Sequence, residues 1–188
     1  SQVRATVGSN PNLTPETATT RTLGLVYSPN WAEGPDVYLD WYDIEIENTI
    51  AAPTAQFLLT DCYVNSTLSS CALITRNPAS GDILDMLALS ANNGALTQEG
   101  YDVTFDYRFD TSYGKFRVNW ASTYITEYIT EIPLGSGPLS VVGNYFQFFP
   151  VWRLKSNIDL NWQHGDWGAT FGARYLSALD ESCTSAVL

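Results

Sequence analysis

The sequence predicts an all-β protein of antiparallel, up-and-down strands that form the wall of a transmembrane β-barrel, with a short helix in an extracellular loop. Three observations predict it. Apolar and polar residues alternate with a period of two along several segments, so that one face of each is greasy and the other wet. The connections alternate between tight turns and long excursions, the pattern of outer-membrane barrels with their long loops outside the cell. No apolar run approaches the roughly 18 residues of a transmembrane helix. The best candidate, Ile83 to Ala91, is interrupted by Asp85, which leaves a soluble β protein or the closed barrel.

The first predicted strands follow the alternation loosely. Thr19 to Ser28 places Leu23, Leu25 and Tyr27 on one face, and Asp36 to Glu47 places Val37, Leu39 and Trp41 there. Continuing that second face leads to Asp43, Glu45 and Glu47. Either a bulge flips the register near Tyr42 or the strand has left the apolar layer. The later segments are cleaner. Tyr101, Val103, Phe105, Tyr107 and Phe109 oppose Asp102, Thr104, Asp106, Arg108 and Asp110. Phe116, Val118, Trp120, Tyr124 and Tyr128 alternate with Lys115, Arg117, Asn119, Thr123 and Glu127. In Val151 to Gln163, Trp152, Leu154, Ile158, Leu160 and Trp162 share a face broken only by Ser156, against Arg153, Lys155, Asn157, Asp159, Asn161 and Gln163. The segment Trp167 to Tyr175 repeats the division.

Asp110 to Gly114 and His164 to Asp166 are tight turns, and Pro29 to Pro35 is short and rich in turn formers. Asn48 to Gly100 and Ile129 to Pro150 are long excursions, and another begins near Leu176. Trp and Tyr gather near the ends of the apolar faces, as the interfacial girdles of a barrel require. A soluble β-sandwich with an aromatic inner face shares the alternation but not the loop asymmetry.

Composition narrows the function. Hydrophobic residues make up 45% of the 188 and aromatics 13%, well outside the disordered class. Nine Lys and Arg stand against 20 Asp and Glu, a formal charge of -11, which argues against nucleic acid as a partner. Ser1 is not followed by a basic and then apolar leader, so any signal peptide is expected to lie far upstream or to be absent.

The run Asn10-Pro-Asn-Leu-Thr-Pro-Glu-Thr17, leading straight into a strand, resembles the signature of the second half of TonB-dependent receptor barrels. Further pieces match in order: Trp41 to Ile46, Asp61-Cys-Tyr63 with Cys71 and Ile74 to Arg76, Gly81-Asp-Ile83, Gly100 to Asp102, and Tyr107 to Asp110. The resemblance implies a barrel of about 22 strands with a plugged lumen in the bacterial outer membrane, about six of the strands lying in this chain. It places residues 1–188 late in that barrel as a partial domain, with the plug and the last strands outside it. It implies no enzyme activity and no cofactor. The partners it implies are outer-membrane lipid, the TonB-ExbB-ExbD system acting through the plug, and a small-molecule or oligosaccharide ligand of the siderophore, cobalamin or oligosaccharide type. The alternative from another class is a secreted β-sandwich carbohydrate-binding module, and a jelly-roll enzyme comes third.

Cys62 and Cys71 lie in one long loop at a spacing that suits a local disulfide, whereas Cys183 is left without a partner. Three independent buried thiols are the alternative. Pro53 to Asp61 reads as a short helix with Pro in its first turn, fastened by that bridge. Within this loop Phe57, Tyr63 and Arg76 are the ligand-binding candidates, although packing of the loop on itself accounts for the apolar ones equally well. Arg108, Arg117, Arg153, Lys155 and Arg174 are expected to face the lumen as plug-docking or substrate-path groups. The simpler reading is a polar interior satisfied by pairing with Asp102, Asp106 and Asp159. His164, beside Gly165 and Asp166, belongs to a hairpin turn and not to a general base. No metal site and no catalytic pair of carboxylates is marked. Asn12-Leu-Thr and Asn65-Ser-Thr match the glycosylation pattern, by chance if the source is bacterial as the resemblance implies.

Overall fold

The computed structural model describes residues 3–31, 34–131, 138–146 and 149–181. Its elements are β1 (Arg4–Gly8), β2 (Thr17–Tyr27), β3 (Pro35–Ala51), α1 (Ala55–Tyr63), α2 (Leu68–Ala72), β4 (Ile74–Arg76), β5 (Ile83–Leu89), β6 (Ala91–Thr111), β7 (Gly114–Glu131), β8 (Pro138–Ser140), β9 (Tyr145–Phe146), β10 (Phe149–Pro150), β11 (Leu154–His164) and β12 (Trp167–Leu176). The main sheet runs in the order β12-β11-β7-β6-β3-β2, with β8 also paired to β7, and a small sheet runs β1-β5-β4. Two compact units result: residues 1–19, 45–96 and 130–139 form one, and 20–44, 97–129 and 140–188 the other.

In the second unit the alternation read from the sequence is carried across the strands. Ile158 stands opposite Trp120 on β7 and Ala173 on β12, Leu160 opposite Val118 and Phe171, and Trp162 opposite Phe116 and Ala169. On the other face Asn161 stands opposite Arg117 and Thr170, and Asp159 opposite Asn119 and Gly172. A slip of one residue would mix the two faces, so the matched faces fix the register. The apolar face continues onto β6, where Phe109 stacks on Phe116 at 5.2 Å between ring centroids and on Tyr107 at 4.9 Å. Among the described residues nothing covers that face: Ile158 is 43% exposed and Phe171 67%. A sandwich would bury it under a second sheet.

Both tight turns form. Ser112 and Tyr113 join β6 to β7, with the Thr111 hydroxyl donating to the Gly114 carbonyl at 3.0 Å. Gly165 and Asp166 join β11 to β12, and the φ of 55° at Gly165 is what a first-position glycine supplies in a type II′ hairpin. His164 is the last residue of β11 and opens the turn opposite Trp167.

Several strands outrun their predicted bounds. β6 begins at Ala91, ten positions before Tyr101, so the last part of the expected excursion is strand and runs through Gly100 unbroken. A Cβ there would lie 2.5 Å from the Tyr42 hydroxyl and 2.7 Å from the Tyr124 carbonyl, so glycine is required by close approach. β3 passes Tyr42 without a register change: Ser28 pairs its hydroxyl with Asp36, and Arg21 its guanidinium with Asp43. The carboxylates Asp43, Glu45 and Glu47 therefore continue the face of Leu39 and Trp41 beyond the apolar layer. The irregularity comes later, at Asn48, whose φ of 57° inside a continuous strand is the backbone mark of a bulge. At the other end, β11 starts at Leu154, so Trp152 and Arg153 precede the strand, and the Arg153 carbonyl accepts the Ile125 N–H.

Candidate functional site

The excursion between β3 and β6 is a folded subdomain within the first unit. Thr54 caps α1, its side chain accepting from the Phe57 N–H at 3.1 Å, so Pro53 precedes the helix instead of lying in its first turn, and the helix extends past Asp61 to Tyr63. This satisfies one of the otherwise orphaned first-turn donors. A second helix, α2, and the strands β4 and β5 were not legible in the sequence. Leu58, Ile74, Met86 and Ala88 make the subdomain core, with Ala55, Leu59, Leu73 and Ile83 packed around it. Cys62 and Cys71 are bridged with Cα atoms 4.8 Å apart, as their spacing predicted. Cys183 lies outside the described residues.

Beside the bridge sits Asp61, 1% exposed. Its carboxylate accepts from Ser70 Oγ at 2.5 Å, Asn65 Nδ2 at 3.0 Å and Thr67 Oγ1 at 3.1 Å. These hydrogen bonds, led by that of Ser70, hold its pKa below the usual carboxylate range. The acid thereby ties the end of α1 to the start of α2 through hydrogen bonds. The free edge of β5 is closed by β1, which runs parallel to it from Arg4 opposite Asp85 to Gly8 opposite Leu89. Asp85 accepts from Arg4 Nε and Nη2, both at 3.2 Å, and from Thr6 Oγ1. The Arg4 guanidinium is the leading cause of the lowered Asp85 pKa.

Of the loop candidates, Tyr63 and Arg76 meet. The Arg76 guanidinium lies 5.1 Å from the Tyr63 ring centroid, donates to the Tyr63 hydroxyl, and donates to the Gly81 carbonyl at 3.1 Å. Tyr63 remains exposed on the surface of the subdomain. Phe57 stands half-buried on α1.

The polar face of the main sheet gathers some of its candidate cations and not others. Asp106, 7% exposed, accepts from Arg117 Nε at 2.8 Å and from Arg108 Nε at 3.1 Å. Asp102 instead accepts from Thr123, and Arg174 donates to the Asn157 side chain at 2.9 Å. Lys155 stands opposite Thr123 and Leu176. Arg153 is exposed ahead of β11. Among the described residues no group of three His, Cys, Asp or Glu side chains is placed to hold a metal ion.

The family model described as TonB dependent receptor-like, beta-barrel matches residues 1–184. Among solved structures, the siderophore receptor PirA from Acinetobacter baumannii shares the fold, with a TM-score of 0.54 and 15% identity over 92% of this chain. This chain spans 22% of that one. No curated protein matches the sequence. A family match along nearly the whole chain, joined to strands whose apolar face is left bare in register, means that the chain belongs to the TonB-dependent receptor β-barrel family of the bacterial outer membrane.

Proposed function

We propose that this chain supplies wall strands and one ligand-capturing loop to an active transporter that brings a scarce solute across the outer membrane. The family is one of transporters and not of enzymes, and nothing here needs to react. The solute class is that of molecules too large for porins: a siderophore, cobalamin or an oligosaccharide. Energy would arrive from the TonB-ExbB-ExbD system through a plug, and residues 1–188 would be a partial barrel domain.

The observation that supports this reading best is the subdomain between β3 and β6. It has its own core, a disulfide and a buried carboxylate knot, yet it leaves Tyr63 exposed with Arg76 laid across it. A loop that only connected two strands would need none of these; a preorganised capture surface loses less entropy on binding. Phe57, Tyr63 and Arg76 are its contact candidates. On the wall, Arg108, Arg117, Lys155 and Arg174 would face the lumen and meet the plug or the passing solute, with Arg153 at the mouth of β11. Outer-membrane lipid would cover Ile158, Leu160 and Phe171.

The experiment is solute uptake by cells whose only receptor of this class is the intact protein. Ferric siderophores, cobalamin and oligosaccharides would be offered singly. Uptake of one of them, reduced in Tyr63→Ala and Arg76→Ala at equal receptor abundance, is expected. Uptake that ignores both substitutions would remove this loop from ligand capture.

A further inference from the structure

The segment Asn10 to Glu16, which carries the family resemblance, is built as a fastening. Asn10 accepts the Asn12 N–H on its side chain at 2.9 Å, and the Leu13 N–H donates to the Asn10 carbonyl at 3.2 Å, a turn that Pro11 favours by its fixed φ. The chain then meets Asn92, near the start of β6. The Asn92 side-chain carbonyl accepts the Thr14 N–H at 2.8 Å, and its amide donates to the Thr14 carbonyl at 2.7 Å. One side chain thus pairs with both backbone groups of a residue 78 positions away, as a neighbouring strand would. The same amide donates to the Asn48 carbonyl at 2.9 Å, at the one residue of β3 with a positive φ. Glu16 then accepts the Ile50 N–H at 2.6 Å. Pro15, which has no N–H, leaves no donor stranded between these two anchors.

The position of these bonds matters. The subdomain leaves β3 after Ala51 and returns at Ala91, beside Asn48, Ile50 and Asn92. Two adjacent connections alone make a hinge. The third connection is the chain that runs from β1, paired to β5, through residues 9–16 into β2. Its far end is anchored by β2, which pairs with β3, and the bonds of Asn92 and Glu16 carry that anchorage back along residues 14–16 to the base of the subdomain.

We propose that Asn92 and Glu16 are positioning residues: they lock the orientation of the α1–α2–β4–β5 subdomain on the ends of β2, β3 and β6, and so the direction in which Tyr63 and Arg76 are presented. The consequence for capture rests on the function proposed above; the locking itself does not.

The test is the distance distribution between two nitroxide amino acids, one at Leu68 on α2 and one at Ala18 on β2, in the intact protein inserted in lipid. Genetically encoded labels spare the Cys62–Cys71 bridge. The native protein should give one narrow peak. Asn92→Leu, which keeps the shape and removes every donor and acceptor, should lose that peak to a broad distribution. Glu16→Ala should do the same, and Glu16→Gln, which keeps the acceptor, should restore the native width. A residue that merely stabilised its surroundings would lower the melting temperature and leave the width alone, and that result overturns the proposal. Should Asn92→Leu fail to assemble, equal widths in Glu16→Ala and Glu16→Gln overturn it instead. Because no ligand is present, a receptor with a locked subdomain that takes up none of the solutes offered sinks the capture reading and leaves the lock standing.

Discussion

The indole N–H of Trp120 on β7 donates to the hydroxyl of Ser156 on β11 at 2.7 Å. Ser156 is the one residue that breaks the apolar series of its strand, and the bond explains it. An indole N–H facing hydrocarbon has no water to turn to, and a hydroxyl one diagonal step away supplies the acceptor. Ser156→Ala is therefore expected to destabilise the lipid-inserted barrel by about 1 kcal/mol. Adding Trp120→Phe should cost little more, because the donor left stranded is then gone. Urea refolding in vesicles, run as a double-mutant cycle, checks this; additive effects would show that the bond carries nothing.

The two faces of β11 should respond oppositely to charge. Ile158→Arg is expected to cost about 2 to 4 kcal/mol if the position lies near the bilayer midplane, and Asn157→Arg close to nothing. The same refolding measurement reads both, and equal costs would contradict the assignment of the bare apolar face to lipid.

Asp61 makes the α1–α2 corner acid-sensitive. Its pKa is depressed in the fold, so its contribution is fully present above the unfolded value of about 3.9 and is lost as the pH falls through the lower folded value. Amide exchange in α1 and α2 should accelerate as the pH drops below that unfolded value, after correction for the intrinsic rate. Asp61→Asn should flatten the profile while exchanging faster at neutral pH.

The Cys62–Cys71 bridge closes a short loop, with a sequence separation of 9. Replacing both cysteines by serine should destabilise the subdomain by on the order of 2 kcal/mol. Exchange in α1 and α2 should report the loss, while the lipid-facing strands β11 and β12 keep their protection. Loss of protection in both regions would mean that the subdomain and the wall unfold together.

The two hairpin glycines should differ. At Gly165, φ is 55° and a Cβ would meet nothing within 4 Å, so Gly165→Ala should cost about 1 kcal/mol, the ordinary left-handed penalty. At Gly114, φ is 124° and a Cβ would collide with the Gln163 carbonyl, which forces the backbone to move. Gly114→Ala should be clearly the worse of the two in barrel stability.

The sequence by itself determined the faces of the wall. Val118, Trp120, Ile158, Leu160 and Phe171 alternate with polar residues because lipid rewards one side of each strand and a wet interior the other, and this shows residue by residue in a single chain. It determined the tight turns through Gly114 and Gly165, and the Cys62–Cys71 bridge through spacing. Where lipid no longer imposes a preference, the signal fades. The start of β6, from Ala91 to Gly100, carries no alternation and so reads as the end of a long excursion, and the requirement for glycine at position 100 lies in the close approach of Tyr42 and Tyr124. Only the tertiary structure decided the subdomain. Arg4 and Asp85 are separated by 81 positions, and the pairing of β1 with β5 leaves no periodic trace in either segment. Asn92 falls within a segment that reads as a long excursion, yet its amide works as a piece of backbone between Thr14 and Asn48. Local periodicity records the solvent on each side of a strand, whereas a hydrogen bond between distant segments is written in neither of them and exists only once the fold has brought them together.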